Sequence, residues 1–287
     1  MPVLEVKEIQ AKSILNPSRI PGVDYAINPY MGCAFGCTYC YATFMGRMAK
    51  KPVESWGGYA YPKTNAIEVL HAQVRKLKDK GKNACVLFST VTDPYQGIEA
   101  KYTLTRQCME TLLEEGFQGR VSVLTKSPLV LRDMDVLKKF NETDIGLTIT
   151  TTNDALSRFF EKNAPPASKR LEALKTLNEN GFRTYAFVGP LLPHFAAKEQ
   201  ELDALFKAIA DTGTREIFVE HINLSPYILR RVQEQFSSME PSAVHAFDAS
   251  QCMEYRKKLD EVVYTLTDKH GLSIRSKHTL YHPTSTH

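Results

Sequence analysis

Along this chain, short β-branched or aromatic runs give way repeatedly to longer amphipathic stretches, and this alternation restricts the fold more than any other feature. The strand-like runs are VDYAINP (23–29), NACVLFST (83–90), VSVLTKS (121–127), DIGLTITTT (144–152), RTYAFVGP (183–190) and REIFVEHIN (215–223). Between them, 65–81, 104–116, 129–140, 168–181 and 198–213 carry apolar residues at helical spacing. The pattern reads as six β-then-α steps. Strands that are apolar throughout imply a parallel sheet covered by helices, either an open doubly wound sheet or a barrel. In both, reactive groups gather on the loops after the carboxyl ends of the strands. Those ends hold a cysteine loop, then TVTDPYQ (90–96), TKS (125–127), TTTND (150–154), GPLLP (189–193) and EHIN (220–223). The tail from about residue 236 (FSSMEPSAVHAFDAS) reads as irregular and appended.

With 287 residues and 43% hydrophobic side chains, the chain can bury one barrel-sized core. The opening LEVKEIQAKS has neither a signal-peptide core nor a membrane span, so the expectation is a cytoplasmic protein with no membrane partner. A net charge of +4 is too mild to demand nucleic acid, although GRMAKK (46–51), RKLKDKGK (75–82), LRR (229–231) and IRSKH (274–278) could neutralise phosphates on a shared face. The bland reading of each cluster is a solvated helix end or loop.

Three of the six cysteines, Cys33, Cys37 and Cys40, fall within NPYMGCAFGCTYCYA (28–42). A structural zinc site wants four protein ligands, as does a fully protein-ligated iron–sulfur cluster, so three predict a metal centre with one position left open. Gly32 and Gly36 are suited to supply backbone angles that other residues resist. Zinc would need a fourth ligand, and the next histidine, His71, has no ligand spacing to the loop. A redox pair at Cys37 and Cys40 would leave Cys33 without a role.

The cysteine loop, with TVTDPYQGIEAKYTLTR, TKSPLVLRD, TITTTND and RLEALKTLNENG, resembles the spore photoproduct lyase-related branch of the radical S-adenosylmethionine (SAM) superfamily, over roughly residues 10 to 225. The fold this implies is a partial (β/α)6 TIM-like barrel over 23–235, with an N-terminal extension (1–22) and a C-terminal extension (236–287). The resemblance implies a [4Fe-4S] cluster on Cys33, Cys37 and Cys40, with SAM at the open iron. It further implies an electron donor of the flavodoxin or ferredoxin type, and hydrogen abstraction by a 5′-deoxyadenosyl radical. Tyr39 is matched to the aromatic position beside the adenine, and Thr92 and Asp93 to the SAM amino group. Lys126 is matched to the SAM carboxylate, Thr150, Thr151, Thr152 and Asn153 to the ribose or sulfonium region, and Gly189 and Pro190 to an adenine wall. Tyr39 and Tyr41 match a tyrosine pair that relays the radical in the lyase.

Each match has a plainer alternative: packing for Tyr39, β propensity for the threonines, a salt bridge to Asp133 for Lys126, a turn for Asp93-Pro94. The chain also departs from the lyase. Where the lyase has a hydrogen-donating cysteine this chain has Thr90, whose O–H bond is too strong for that role. Cys85 lies an odd number of residues upstream, on the opposite face of the strand. It and Cys108 and Cys252 read as small buried hydrophobes, with Cys252 able to reach the site if the tail covers it. His194, His221, Tyr227, His278 and Tyr281 are candidates for the substrate side. The expected function is radical SAM chemistry on a DNA or RNA lesion or base; the rivals are radical modification of a peptide or small metabolite, and a non-catalytic iron–sulfur carrier or sensor.

Overall fold

Most of the apolar runs form strands shorter than the sequence that encodes them, β8 excepted. The computed structural model describes residues 3–193, 198–236 and 241–281. The chain divides into two compact units, one of Met1–Gly36 and Ala42–Gly146, the other of Cys37–Tyr41 and Leu147–His287.

In the first unit, β1 (Leu15–Pro17) runs antiparallel to β2 (Tyr25–Ile27), with Leu15 opposite Ile27. A separate antiparallel pair joins β3 (Tyr30–Gly32) to β4 (Ala60–Pro62). β5 (Cys85–Phe88) lies parallel to β2 and to β6 (Arg120–Thr125). All four residues of β5 are buried, as a strand covered on both faces requires. The helices are α1 (Gly46–Ala49), α2 (Ala66–Val74), α3 (Glu99–Tyr102), α4 (Leu104–Glu114) and α5 (Met134–Leu137). α4 buries Leu104, Cys108, Met109 and Leu112, one face at helical spacing, and packs on α2.

The division between units falls within β7 (Glu142–Thr148). The second unit continues with α6 (Asp154–Phe160), α7 (Ala167–Glu179), β8 (Thr184–Leu191), α8 (Glu199–Asp211) and β9 (Glu216–His221). It ends with α9 (Pro226–Phe236), α10 (Pro241–Ala249), α11 (Met253–His270) and β10 (Ser273–Ile274). β9 pairs in parallel with both β8 and β10. α8 turns Leu202, Leu205, Phe206 and Ile209 inward and packs against α11, where Leu259, Val263 and Leu266 are buried. Each such side chain contributes about 1.5–3 kcal/mol relative to exposure.

The architecture is thus mixed α/β with parallel strands, as the alternation predicts. Three local expectations are corrected. The stretch 129–140 is a 3-10 segment, Pro128–Asp133, followed by the single turn of α5, because Pro128 starts it and Asp133 is drawn inward to two arginines. The helix expected over 65–81 stops at Val74, and Asp79 and Lys80 have positive φ. The tail is helical over α10 and α11 where irregular chain was expected; Phe247 and the inward face of α11 give it apolar contacts. Among the described residues no helix is long and apolar enough to cross a membrane.

Candidate functional site

Cys33 leaves the end of β3 and opens the cysteine loop. Gly32 (φ +81°) and Gly36 (φ +63°) both adopt the left-handed region, the role their positions predict. A Cβ on Gly32 would stand 2.5 Å from the Tyr59 ring, and one on Gly57 would stand 2.7 Å from the Gly36 Cα. This part of the loop is therefore packed backbone against its neighbours. At the start of β3 the Tyr30 hydroxyl donates to buried Glu99, whose carboxylate also receives Arg132 at 2.8 Å.

In the first unit the loop's main chain at Gly32 and Ala34 meets neutral side chains, while upstream Lys63 Nζ donates to the Asn28 carbonyl at 2.7 Å. Thr92 Oγ1 donates to the Gly32 carbonyl at 2.5 Å and accepts from Gln96 Nε2 at 2.9 Å. The same amide's Oε1 accepts the Ala34 N–H at 2.8 Å. Asp93 is buried; its Oδ1 accepts from Thr125 Oγ1 (2.6 Å) and the Tyr95 N–H (2.9 Å), and its Oδ2 from the Lys126 N–H (2.8 Å). Burial pushes this carboxyl above its ordinary value, with those donors opposing. Lys126 thus meets Asp93 through its main chain, while Asp133 is taken by Arg106 and Arg132. The Thr90 hydroxyl accepts from Asn28 Nδ2 at 2.8 Å, and Asn28 Oδ1 receives the N–H groups of Thr90 and Val91.

In the second unit the rest of the loop meets charge. The Tyr39 hydroxyl donates to Glu161, and Glu161 is ion-paired with Arg170; both charged side chains are fully buried. Ser157 Oγ donates to Glu161 Oε2 at 3.0 Å and Thr150 Oγ1 to Oε1 at 3.5 Å. Arg170 also donates to the carbonyls of Pro165 (2.8 Å) and Thr148 (3.1 Å). Burial opposes the Arg170 charge, yet the Glu161 carboxylate more than offsets this and its pKa stays raised. Burial, then the charge of Glu161, holds the Tyr39 phenol well above its usual range. Tyr41, by contrast, is exposed.

The remaining candidates divide. Thr151 is buried and accepts the Asn153 N–H at 3.1 Å, while Asn153 caps α6 by accepting from Ala155 and Leu156; Thr152 and Asn153 are exposed. These residues follow β7, which ends at Thr148. Gly189 and Pro190 lie inside β8, joined by a cis peptide. A methyl on Gly189 would strike Phe187 and the Glu220 Cβ. His221 is buried against Asp260 (2.7 Å), which also takes Thr279 Oγ1. Tyr227 donates to the Tyr41 carbonyl at 3.3 Å; His278 is exposed; Tyr281 lies under Arg256 at 3.5 Å; His194 is outside the described residues. Cys85 and Cys108 are buried as expected, and Cys252, before α11, is exposed instead, since the turn ahead of the helix gives it no cover.

Glu161, Arg170 and Arg231 escape a reading based on strand ends, and Gln96 and Asn28 lie within the runs TVTDPYQ and VDYAINP without being singled out by it. Glu161 and Arg170 sit after and within helices, where a charged residue is ordinarily solvated; the signal available was only that Arg170 opens RLEALK and that Glu161 falls between TTTND and RLEALK.

Residues 27–218 match the model of the radical SAM superfamily. The chain belongs to that superfamily. It is 33% identical over 268 residues to an uncharacterized protein of Methanocaldococcus jannaschii, covering 93% of this chain and 95% of that one. It is 25% identical over 229 residues to the radical SAM Nalpha-GlyT isomerase of Pseudomonas phage M6, covering 76% of this chain and 44% of the isomerase. The structure of spore photoproduct lyase complexed with dinucleoside spore photoproduct matches with a TM-score of 0.71 at 15% identity, over 94% of this chain and 81% of the lyase. The fold is therefore the radical SAM fold, and the protein is an enzyme whose superfamily implies a [4Fe-4S] cluster and SAM. An electron donor is required as well.

The donor set fits such a cluster. Three cysteines outside any disulfide share one loop, Cys33 and Cys37 buried and Cys40 half-buried. Among the described residues no three His, Cys, Asp or Glu side chains close into a cage for a single ion. A cubane asks for something different, because each thiolate meets its own iron and the ligands stand further apart than around one ion.

Proposed function

We propose that this radical SAM enzyme acts on a nucleic-acid lesion or base, with Cys33, Cys37 and Cys40 holding the cluster. The observation that carries the cluster assignment is the CxxxCxxC loop with its two left-handed glycines inside the family-matched residues. When bound, the cluster and SAM supply a 5′-deoxyadenosyl radical that abstracts hydrogen from the substrate. The chain's own residues bind and orient. Thr92 and Asp93 brace the loop and the ends of the strands that face SAM, and Lys126 is the cation for its carboxylate. Thr150, Thr151, Thr152 and Asn153 serve the ribose side, and Gly189 and Pro190 the adenine. Residues 23–235 form the barrel body, with 1–22 and 236–287 appended.

Support for the nucleic-acid substrate comes from the fold shared with a lyase whose complex holds a dinucleoside, and from the basic clusters at 46–51, 75–82 and 274–278. The repair reaction of that lyase does not transfer directly. By the resemblance, Thr90, tied to Asn28 by hydrogen bonds, takes the donor cysteine's position. Any returned hydrogen must come from elsewhere, and exposed Tyr41, next in sequence to Cys40, is the residue suited to relay it, while Tyr39 is held on Glu161. The same departure favours a second reading, radical modification of a peptide or small metabolite, and leaves the substrate class to experiment.

Anaerobic reconstitution of the wild type and Cys33→Ala with iron and sulfide, then SAM and dithionite, tests the chemistry. The wild type is expected to yield 5′-deoxyadenosine and the variant none. Binding of single- and double-stranded DNA and RNA across a salt series tests the substrate: affinity should fall steeply with salt as phosphate contacts release counterions. Affinity that is absent at low salt, or flat across the series, moves the assignment to the second reading.

A further inference from the structure

α9 is an amphipathic helix whose residues Tyr227, Arg231 and Gln235 recur every fourth position and so share one face. Each donates to main-chain carbonyls at or beside the cysteine turn. The Tyr227 hydroxyl reaches the Tyr41 carbonyl at 3.3 Å. Arg231 reaches two in succession, Thr38 O from Nε at 3.2 Å and Cys37 O from Nη2 at 3.3 Å. Gln235 Nε2 reaches Phe159 O at 3.0 Å, next to Phe160, whose carbonyl receives the Thr38 N–H at 2.8 Å. The Cys37 carbonyl gripped by Arg231 also accepts the Cys40 N–H at 3.3 Å, the bond that closes the turn between two cysteines.

We infer that α9 is a clamp on the CTYCY turn and that Arg231 is its positioning residue, setting the spacing of Cys37 and Cys40 and placing positive charge against the backbone that joins them. The inference rests on the proposed ligation by these cysteines. Three physical arguments support it. A planar guanidinium grips two carbonyls at fixed separation, whereas an ammonium is a single point. Charge-assisted hydrogen bonds to carbonyls are stronger than neutral ones. Charge and hydrogen bonding around an iron–sulfur cluster help set its reduction potential, and a nearby cation favours the reduced, more negative state. Nothing on the clamp face needs to touch SAM or substrate; it acts through the turn.

The test uses the reconstituted full chain without SAM. Iron loss to a chelator, the low-temperature electron paramagnetic resonance spectrum of the reduced cluster and its midpoint potential are measured for wild type, Arg231→Ala and Arg231→Lys. Loss of one charge-assisted bond corresponds to about tenfold in an equilibrium, so iron should be held about tenfold less tightly against the chelator in Arg231→Lys, which keeps one contact, and less tightly still in Arg231→Ala, which loses both. The potential should fall in Arg231→Ala and return toward the wild-type value in Arg231→Lys, which keeps the charge and loses the fork. Iron loss, spectrum and potential unchanged in both variants would overturn the clamp. If Arg231→Ala does not fold, Arg231→Lys and Gln235→Ala carry the same comparison, since each removes only part of the grip; wild-type iron loss in both would again overturn it. Cys37→Ala separates the two claims. If it retains a full wild-type cluster, the ligation itself is wrong; if it loses the cluster while the Arg231 variants behave as wild type, only the clamp is wrong.

Discussion

The two halves of the cysteine motif are held by different physics. Around Cys33, in the first unit, the loop backbone is met by neutral groups: the Thr92 hydroxyl on the Gly32 carbonyl and the Gln96 amide on Ala34. Around Cys37 and Cys40, in the second, the loop is met by charge, with Glu161 and Arg170 under Tyr39 and Arg231 on the turn. Neutral bonds cost little to desolvate and each yields a modest net gain, about 0.5–1.5 kcal/mol. A buried ion pair costs several kcal/mol per ion to desolvate and is only weak evidence for stability; what it does well is punish loss of either partner. The second half is therefore the more brittle.

The sharpest break of that contrast is Arg170→Met. It leaves Glu161 buried beside the Tyr39 hydroxyl without its cation, and a loss of about 3–5 kcal/mol is expected in denaturant unfolding. Adding Glu161→Leu should recover much of it, because removing both charges removes the uncompensated one. Equal damage from single and double variants would show that packing, and not charge, holds this half. Gly32→Ala comes next. Its methyl meets the Tyr59 ring and carbonyl, and φ is +81°, so about 2–4 kcal/mol should be lost from steric and backbone strain. Thr92→Val is smaller: the Gly32 carbonyl and the Gln96 amide each lose one bond, about 1–3 kcal/mol in thermal unfolding. If it exceeds Arg170→Met, the neutral half is the brittle one and the comparison reverses.

The same contrast explains what the sequence revealed. The α/β class and nearly all parallel strands were legible, because buried parallel strands are continuous apolar runs and their helices keep one periodic face. Thr92, Asp93, Lys126 and Thr150 stood out since they sit at strand ends, where such folds collect polar groups. Glu161 did not, and Arg170 and Arg231 appeared only as part of RLEALKTLNENG and of the LRR cluster, because a charged residue in or after an amphipathic stretch is indistinguishable by pattern from a solvated one until the tertiary fold buries it. The α9 clamp was hidden for a related reason: Tyr227, Arg231 and Gln235 have helical spacing, yet Tyr227 and Arg231 grip backbone nearly two hundred positions earlier and Gln235 backbone 76 positions earlier. β3 and β4 were missed because three-residue strands in a small antiparallel pair carry no periodicity to read.

Asp93 offers the smallest and most specific test, because its buried carboxylate is held by Thr125, Tyr95 and the Lys126 main chain beside the neutral contacts of the first half. Burial is the main influence on it and pushes its pKa above the ordinary 3.8, while bonds from Thr125, Lys126 and Tyr95 pull it back only in part. A carboxyl raised on folding binds its proton more tightly in the native state than in the unfolded chain. Its stabilising contribution is then full below about the unfolded value and declines as pH rises through the folded pKa, so the loss lies above pH 3.8. That sign is opposite to Asp135, whose pairing with Arg106 lowers it to about 2 and whose contribution is lost as pH falls toward that value. Wild type and Asp93→Asn should therefore differ in the slope of stability against pH just above the ordinary carboxylate range, with the wild type falling more steeply and the variant flatter. Asp135→Asn should leave that segment untouched and alter the acid end instead. Parallel curves for wild type and Asp93→Asn would mean that its three donors fully compensate for burial, and that the first half is electrostatically as settled as its neutral bonds alone would make it.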